Sequence, residues 1–373
     1  MPPFPPRAGE RRSCPLTRTT VRSLFLGLLA MAATAAQPAQ AQGVLTLRDR
    51  LIFASSNTAG RVADLLSASF AERWGTEMRP EVRQVGSNQA LALFCGGVGP
   101  ETPDVAISTR RMPSGIQQSC RMNGVRDVVE LKLGFGAVVL VARRGDPMPQ
   151  LSARNLQEAL AAERPTSDGI FAPNTYTAWS QIARGLPPSP IRVLVPRGDS
   201  GTRQLFEDLV LESGCRDIKE MRLLFDAGFR RNKCITLRTD GRVVEVQEDQ
   251  TVATLMSSPP GTLAVVTFDE AMRSGGNLIA LPLDGVLPTI ASIASMDYDP
   301  TRVVYLYAKR QHARNKQGVG VVHGVAELLT EASSESATGP AGFLARAGLV
   351  SLPPAERVTQ RSIAERMSTM SLN

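Results

Sequence analysis

Residues 191–195 are a short apolar, β-branched run, and they lead into P-R-G-D-S-G-T-R-Q-L-F-E-D-L at 196–209. Beyond that turn, Leu205, Phe206, Leu209 and Val210 fall at helical spacing. A strand, a tight Gly/Ser turn and a helix in that order aim unpaired backbone N–H groups at one point. Ser200 suits the N-cap, and Gly201 lets the backbone approach a ligand closely. The N–H groups of Gly201, Thr202 and Arg203, with the Ser200 and Thr202 hydroxyls, then face an anion at the positive end of the helix dipole. Arg203 adds a two-pronged, charge-assisted contact. This is the pattern of an oxyanion cradle.

Other readings of the same residues are open. Ser-Gly-Thr ahead of a helix also serves as a plain cap. G-D-S-G is similar to the nucleophile segment of chymotrypsin-like serine proteases, which need a histidine base and an aspartate within reach. Only His312 and His323 are present and both follow Ser200, whereas that family places its histidine first. Arg197-Gly198-Asp199 is too short an adhesion-type match to carry weight.

Residues 1–41 read as an export signal. Arg7, Arg11, Arg12, Arg18 and Arg22 precede an apolar core at 24–36, and Ala39-Gln40-Ala41 fits a small-residue cleavage site after Ala41. That core is too short for a comfortable membrane span, and no other stretch is long and apolar enough, so a soluble exported protein is expected. Removing the signal lowers the charge from +7 to about +3. With no aromatic-studded basic stripe, that balance argues against a nucleic-acid partner.

Export also gives the cysteines a meaning. Cys14 lies in the signal, leaving Cys95, Cys120, Cys215 and Cys234, an even number in an oxidising compartment. Short loops favour Cys95–Cys120 and Cys215–Cys234 among the three possible pairings. Zinc is the rival reading, but the spacings are far from C-x-x-C and no histidine is nearby.

About 332 residues remain after cleavage, more than a comfortable single core, which points to two lobes. Strand-like runs at 138–142, 191–195 and 263–267 alternate with helical segments, the pattern of α/β units around mostly parallel sheets. Two further junctions repeat the first. Residues 51–54 run into Ser55-Ser56-Asn57-Thr58, and a helix follows with Val62, Leu65, Leu66, Phe70 and Trp74 on one face. Residues 82–85 run into Gly86-Ser87-Asn88, and Ala90, Leu91 and Phe94 begin another helix. Helix starts that converge in this way hold a compact anion without metal or cofactor. A fourth segment, D-V-A-I-S-T-R-R at 104–111, reads as a strand presenting Ser108, Thr109 and Arg110 at its end.

Together these residues resemble the periplasmic phosphate-binding proteins that serve ABC importers, a branch of the two-lobed periplasmic solute-binding superfamily. The resemblance covers nearly all of the chain after the signal. It runs through S-S-N-T, V-G-S-N, F-C-G-G, D-V-A-I-S-T-R-R, V-P-R-G-D-S-G-T-R, E-S-G-C and R-T-D-G-R-V-V-E. It ends with L-P-L-D-G-V-L-P-T-I-A-S-I-A-S (281–295) and V-V-Y-L-Y-A-K (303–309).

What it implies is an α/β, type II two-lobed fold, each lobe a mostly parallel sheet flanked by helices. Lobe one would combine 42–135 with 268–373, and 136–267 would be the inserted lobe two, the two joined by hinge strands. Ser56, Ser87 and Ser108 would meet phosphate from lobe one, and Ser200, Gly201, Thr202 and Arg203 from lobe two, with Arg110 a second source of charge. The implied role is a monomeric periplasmic receptor, not an enzyme, delivering phosphate to an ABC permease and ATPase complex. The alternatives are a receptor for sulfate, tungstate or a small phosphoester, or a secreted hydrolase using Ser200.

Two positions depart from the pattern. Thr109 stands where the best-known members carry an aspartate, a group that accepts the hydrogen phosphate proton and repels sulfate. Asp104, Asp199, Asp240 and Glu245 are the candidate substitutes. Pro196 stands where an arginine is expected, which leaves Arg203, Arg110 or Arg197 to supply charge.

Overall fold

The computed structural model describes residues 48–166, 169–314 and 319–372; the expected signal and its cleavage site lie outside these residues, as does the Ser87 side chain. Three parallel strands open the described chain: β1 (Ile52–Ser56), β2 (Glu81–Val85) and β3 (Val105–Ser108), with β1 in the middle. Parallel neighbours need crossovers. α1 (Gly60–Trp74) and α2 (Ser87–Phe94) supply them. Val62, Leu66 and Phe70 of α1 are buried, as a helical stripe must be, whereas Trp74 at the helix end is half-exposed and stacks on Phe70.

After α3 (Ser114–Met122) comes β4 (Val128–Arg143), a 16-residue strand. The chain then passes α4 (Ala153–Leu160), a small hairpin of β5 (Glu163–Pro165) and β6 (Phe171–Pro173), and β7 (Val193–Pro196). Next are α5 (Gly201–Phe206), which continues through a π-helical turn into α6 (Glu212–Arg216), and the strands β8 (Val243–Val246) and β9 (Leu263–Thr267). β10 (Leu278–Ala280), β11 (Thr301–Lys309) and β12 (Leu349–Val350) complete the strands among the described residues.

The main sheet runs β2-β1-β3-β11-β4-β9-β7-β8, with β10 and β12 also paired to β4. β4 is its spine and belongs to two cores. Val129, Leu131 and Leu133 pack with β1, α1 and β11 residues such as Phe53, Leu66 and Leu306. Further along the same strand, Val138, Leu140 and Ala142 pack with Val193, Phe206, Val265, Leu281 and Tyr298. A run this apolar on both faces is what a strand buried between helices requires.

Cys95–Cys120 ties the end of α2 to α3, and Cys215–Cys234 ties α6 to the helix Ala227–Ile235. The pairing favoured by short loops is therefore the one present. Among the described residues no helix is long and apolar enough to cross a membrane.

A buried polar hub sits beside the first core. Asp104, fully buried, accepts from the Ile52 N–H at 2.6 Å and the Arg48 guanidinium at 2.6 Å, and pairs with His312 Nδ1 at 2.7 Å. The Gly99 N–H donates to His312 Nε2, so the ring is a neutral tautomer with its proton on Nδ1, facing Asp104. Close by, the buried Lys309 ammonium donates to Gly97 O and Thr102 Oγ1, and burial pulls its pKa down to about 7.

Burial likewise holds the His312 pKa below its ordinary value, against the upward pull of Asp104. The unfolded chain, titrating at about 6.5, therefore takes up this proton first. Stability is present in full above that pH and is lost as pH falls through the window below it. Urea unfolding at pH 7.5 and 5.5 is expected to show this loss, and His312→Asn, whose amide also donates to Asp104, to reduce it. Equal acid sensitivity in the two proteins would exclude His312 as its source.

Candidate functional site

The carboxyl ends of parallel strands are where α/β sheets gather ligands. The ends of β1, β3 and β7 meet in that way here. From Pro196 the chain turns, with the Ser200 N–H donating to Arg197 O at 3.0 Å, and enters α5. Ser200 Oγ accepts the Arg203 N–H at 3.1 Å, the expected N-cap. Among the described residues the N–H groups of Gly201 and Thr202 have no acceptor. Gly201 lies directly against the turn after β1: a Cβ there would sit 3.0 Å from Thr58 Cα and 3.2 Å from Asn57 O.

On the opposite side, hydroxyls form a string from β1 to β3. Ser56 Oγ lies 3.1 Å from Thr58 Oγ1, which is 2.9 Å from Thr109 Oγ1. Ser108 Oγ accepts the Arg110 N–H at 3.1 Å. Ser56 and Ser108 are fully buried and stand behind the surface, while Thr58 and Thr109 line a cleft of about 580 Å³. Ser200, Gly201 and Thr202 line it from the α5 side. Within S-S-N-T, Thr58 is one position past Asn57, and the motif locates the turn but not the residue that faces outward. The backbone of Ser87 opens α2.

The cations fall elsewhere than the sequence implied. Arg203 is 5% exposed, and its guanidinium donates to Glu207 at 2.8 Å, Glu245 at 2.9 Å and Pro196 O at 3.2 Å. It borders a separate cavity with Leu237, Arg238 and Glu245, so its charge is spent on carboxylates and does not face the cleft. Arg110 is half-exposed, stands 3.7 Å from Asp208, and borders a neighbouring shallow cavity with Arg111 and Arg302. Arg302 on β11 lines both that cavity and the cleft; nothing in its local sequence marks it.

The carboxylates sort in the same way. Asp104 is held in the polar hub, Glu245 by Arg203, and Asp240 by Arg238 and Arg242. The hydrogen bond from Arg238 holds the Asp240 carboxyl below its usual range. Of the four candidate substitutes, only Asp199 lines the cleft. Glu248 joins it there, unanticipated, and accepts the Thr202 hydroxyl at 2.5 Å. Burial pushes Glu207 up despite Arg203 beside it.

Asp64, Asp199, Glu248, Asp249 and Glu270 face the cleft against Arg61, Arg273 and Arg302. With that balance the cleft offers an anion local N–H and O–H dipoles and nearby cations but no net positive field. Among the described residues no group of three or more His, Cys, Asp or Glu is poised to hold a metal ion.

A family model described as the PBP superfamily domain matches residues 32–332. Protein SphX of Synechococcus elongatus is 23% identical over 284 residues, spanning 74% of this chain and 72% of that protein. Two solved structures share the fold. A possible phosphate binding protein from Planctomyces limnophilus aligns with TM-score 0.64 and 16% identity, over 86% of this chain and 99% of that one. An ABC-type phosphate transport receptor from Vibrio cholerae aligns with TM-score 0.53 and 18% identity, over 81% and 100%.

Proposed function

The chain belongs to the PBP superfamily and has its two-lobed α/β fold, and from that premise we propose that it captures inorganic phosphate between its lobes outside the cytoplasm and delivers it to an ABC importer. The observation that carries this reading is the cleft itself. Hydroxyls of Thr58 and Thr109 from one side meet Ser200, Gly201 and Thr202 from the other, and two N–H groups of α5 are without acceptors among the described residues. The Planctomyces neighbour, a possible phosphate binding protein, and the Vibrio neighbour, an ABC-type phosphate transport receptor, support the choice of ligand.

Hydrogen phosphate suits these groups better than sulfate. Thr202 gives its proton to Glu248, so its oxygen is free to accept the ligand's own O–H. Sulfate has no proton to offer and meets two carboxylates, Asp199 and Glu248. In this reading Glu248 and Asp199 stand in for the carboxylate that Thr109 replaces. Ser56 orients Thr58 from behind, and Ser108 fixes the turn after β3 by accepting the Arg110 N–H.

The lobes are taken as 42–135 with 268–373, and 136–267. Within the segment 268–373, Leu281, Ile293 and Tyr298 pack in the same core as β7 and β9. The receptor works as a periplasmic monomer, its signal removed after Ala41, with the permease and ATPase as membrane partners. It is not an enzyme in this reading: Ser200 Oγ is a helix cap, and among the described residues no histidine lines the cleft.

Calorimetry on ligand-stripped protein tests the proposal. Phosphate is expected to bind and sulfate to bind far more weakly. Thr202→Val should weaken phosphate by about tenfold, the worth of one polar contact. Sulfate binding alone would move the ligand and leave the receptor class, with Thr109 the reason. Binding of neither would sink the phosphate reading.

A further inference from the structure

We propose that Arg302 is the cation that meets the bound anion, an assignment that rests on the oxyanion-receptor reading and supplies its missing positive charge. Arg302 pairs with Gly136 across β11 and β4. Nothing lies within 4 Å of the Cβ that Gly136 lacks, so the strand pair leaves open space beside the arginine. Arg302 and Thr109 are the two residues that line both the 580 Å³ cleft and the adjoining cavity of about 360 Å³, so the arginine borders the same space as the hydroxyl string.

Partnership separates Arg302 from its neighbours. Arg273 is held by Asp269, Arg203 by Glu207 and Glu245, and Arg111 by Glu130. The Arg302 guanidinium has no hydrogen-bond or ion-pair partner among the described residues, yet the residue is half-buried. Burial is the largest influence on it and pulls its pKa down. Asp208 and Glu212 oppose this through space, while Arg110 and Arg216 reinforce it. Arg61 is also unpaired among the described residues, but it is exposed and keeps its water.

A partly dehydrated guanidinium without a partner is costly, and a tetrahedral oxyanion answers it with two parallel N–H···O contacts. The chemistry recognised is a compact phosphate or sulfate group. Neutral sugars or amides gain little there. This arginine comes from β11 and not from α5.

The test compares wild type, Arg302→Gln and Arg302→Lys by calorimetry with inorganic phosphate and with sulfate, and by thermal unfolding of each ligand-free protein. Arg302→Gln is expected to weaken the bound anion by about 10- to 100-fold, as loss of a charge-assisted contact should. Arg302→Lys should keep part of that affinity. Ligand-free Arg302→Gln should melt no lower than wild type, because an unpartnered, half-buried charge has been removed. An arginine with a purely structural role would lower the melting temperature and leave affinity alone. If wild type binds and Arg302→Gln stays within about twofold, the assignment is overturned and the receptor reading stands. If wild type binds neither anion, both fall. Should Arg302→Gln fail to fold, Arg302→Lys decides: affinity equal to wild type would overturn the assignment, and a loss of fivefold or more would support it.

Discussion

Asp104→Ala is expected to cost about 3–5 kcal/mol of folding stability, the largest single effect in the molecule outside its apolar cores. The carboxylate is fully buried and holds Arg48, His312 and the Ile52 N–H at once. Its own backbone links β1 to β11, since Asp104 N donates to Ile52 O and Lys309 N donates to Asp104 O. Removing the side chain leaves a buried N–H and the Nδ1–H of His312 without acceptors, and takes the counter-charge away from Arg48 and Lys309. Asp104→Asn keeps one acceptor oxygen and should cost less, about 1–3 kcal/mol. Urea denaturation with unchanged m-value measures both. A loss under about 1 kcal/mol for the alanine variant would mean that the hub is solvated and contributes little.

The second large effect falls on binding. Gly201→Val should weaken phosphate by about 100-fold or more while leaving unfolding free energy within about 1 kcal/mol of wild type. The added Cβ would press on Thr58 Cα and Asn57 O, which are backbone atoms and cannot swing aside. Their separation by even a few tenths of an ångström pulls α5 away from the hydroxyl string, and aligned hydrogen bonds weaken steeply with such shifts. Valine at the first position of a helix is otherwise tolerable. Gly201→Ala should fall between the two. If Gly201→Val binds phosphate within threefold of wild type, the contact between α5 and the β1 turn is not part of the ligand-competent state.

Much of this was legible in the chain. The run at 263–267 is β9 to the residue; the strands expected at 51–54 and 82–85 are present as 52–56 and 81–85, and the segment 104–111 holds a strand at 105–108. Ser200 caps α5 and the disulfides pair across the short loops, whereas the close approach that Gly201 makes is to the turn after β1. The strands, the cap and the disulfides follow from near neighbours: apolar periodicity, a hydroxyl one turn from an N–H, or the entropy of closing a short loop.

What the chain alone concealed is where the charges go. Arg203 sits at the right turn, but Glu245, 42 residues away on β8, and Glu207 one helical turn on, claim its guanidinium. Thr58 and Thr109 face the cleft with Ser56 and Ser108 behind them, which no count along the strands reveals. Arg302 enters through a pairing with Gly136, 166 positions earlier. Its local sequence is an ordinary strand.

The amino-acid sequence by itself determined the strand–turn–helix units, the caps and the disulfide loops, because those depend on interactions within a few residues or on chain entropy. Only the tertiary structure decided which cleft arginines are left without a carboxylate among the described residues and which hydroxyls reach the cleft. A charge takes the partner that the packed strands bring to it, whatever its distance along the chain.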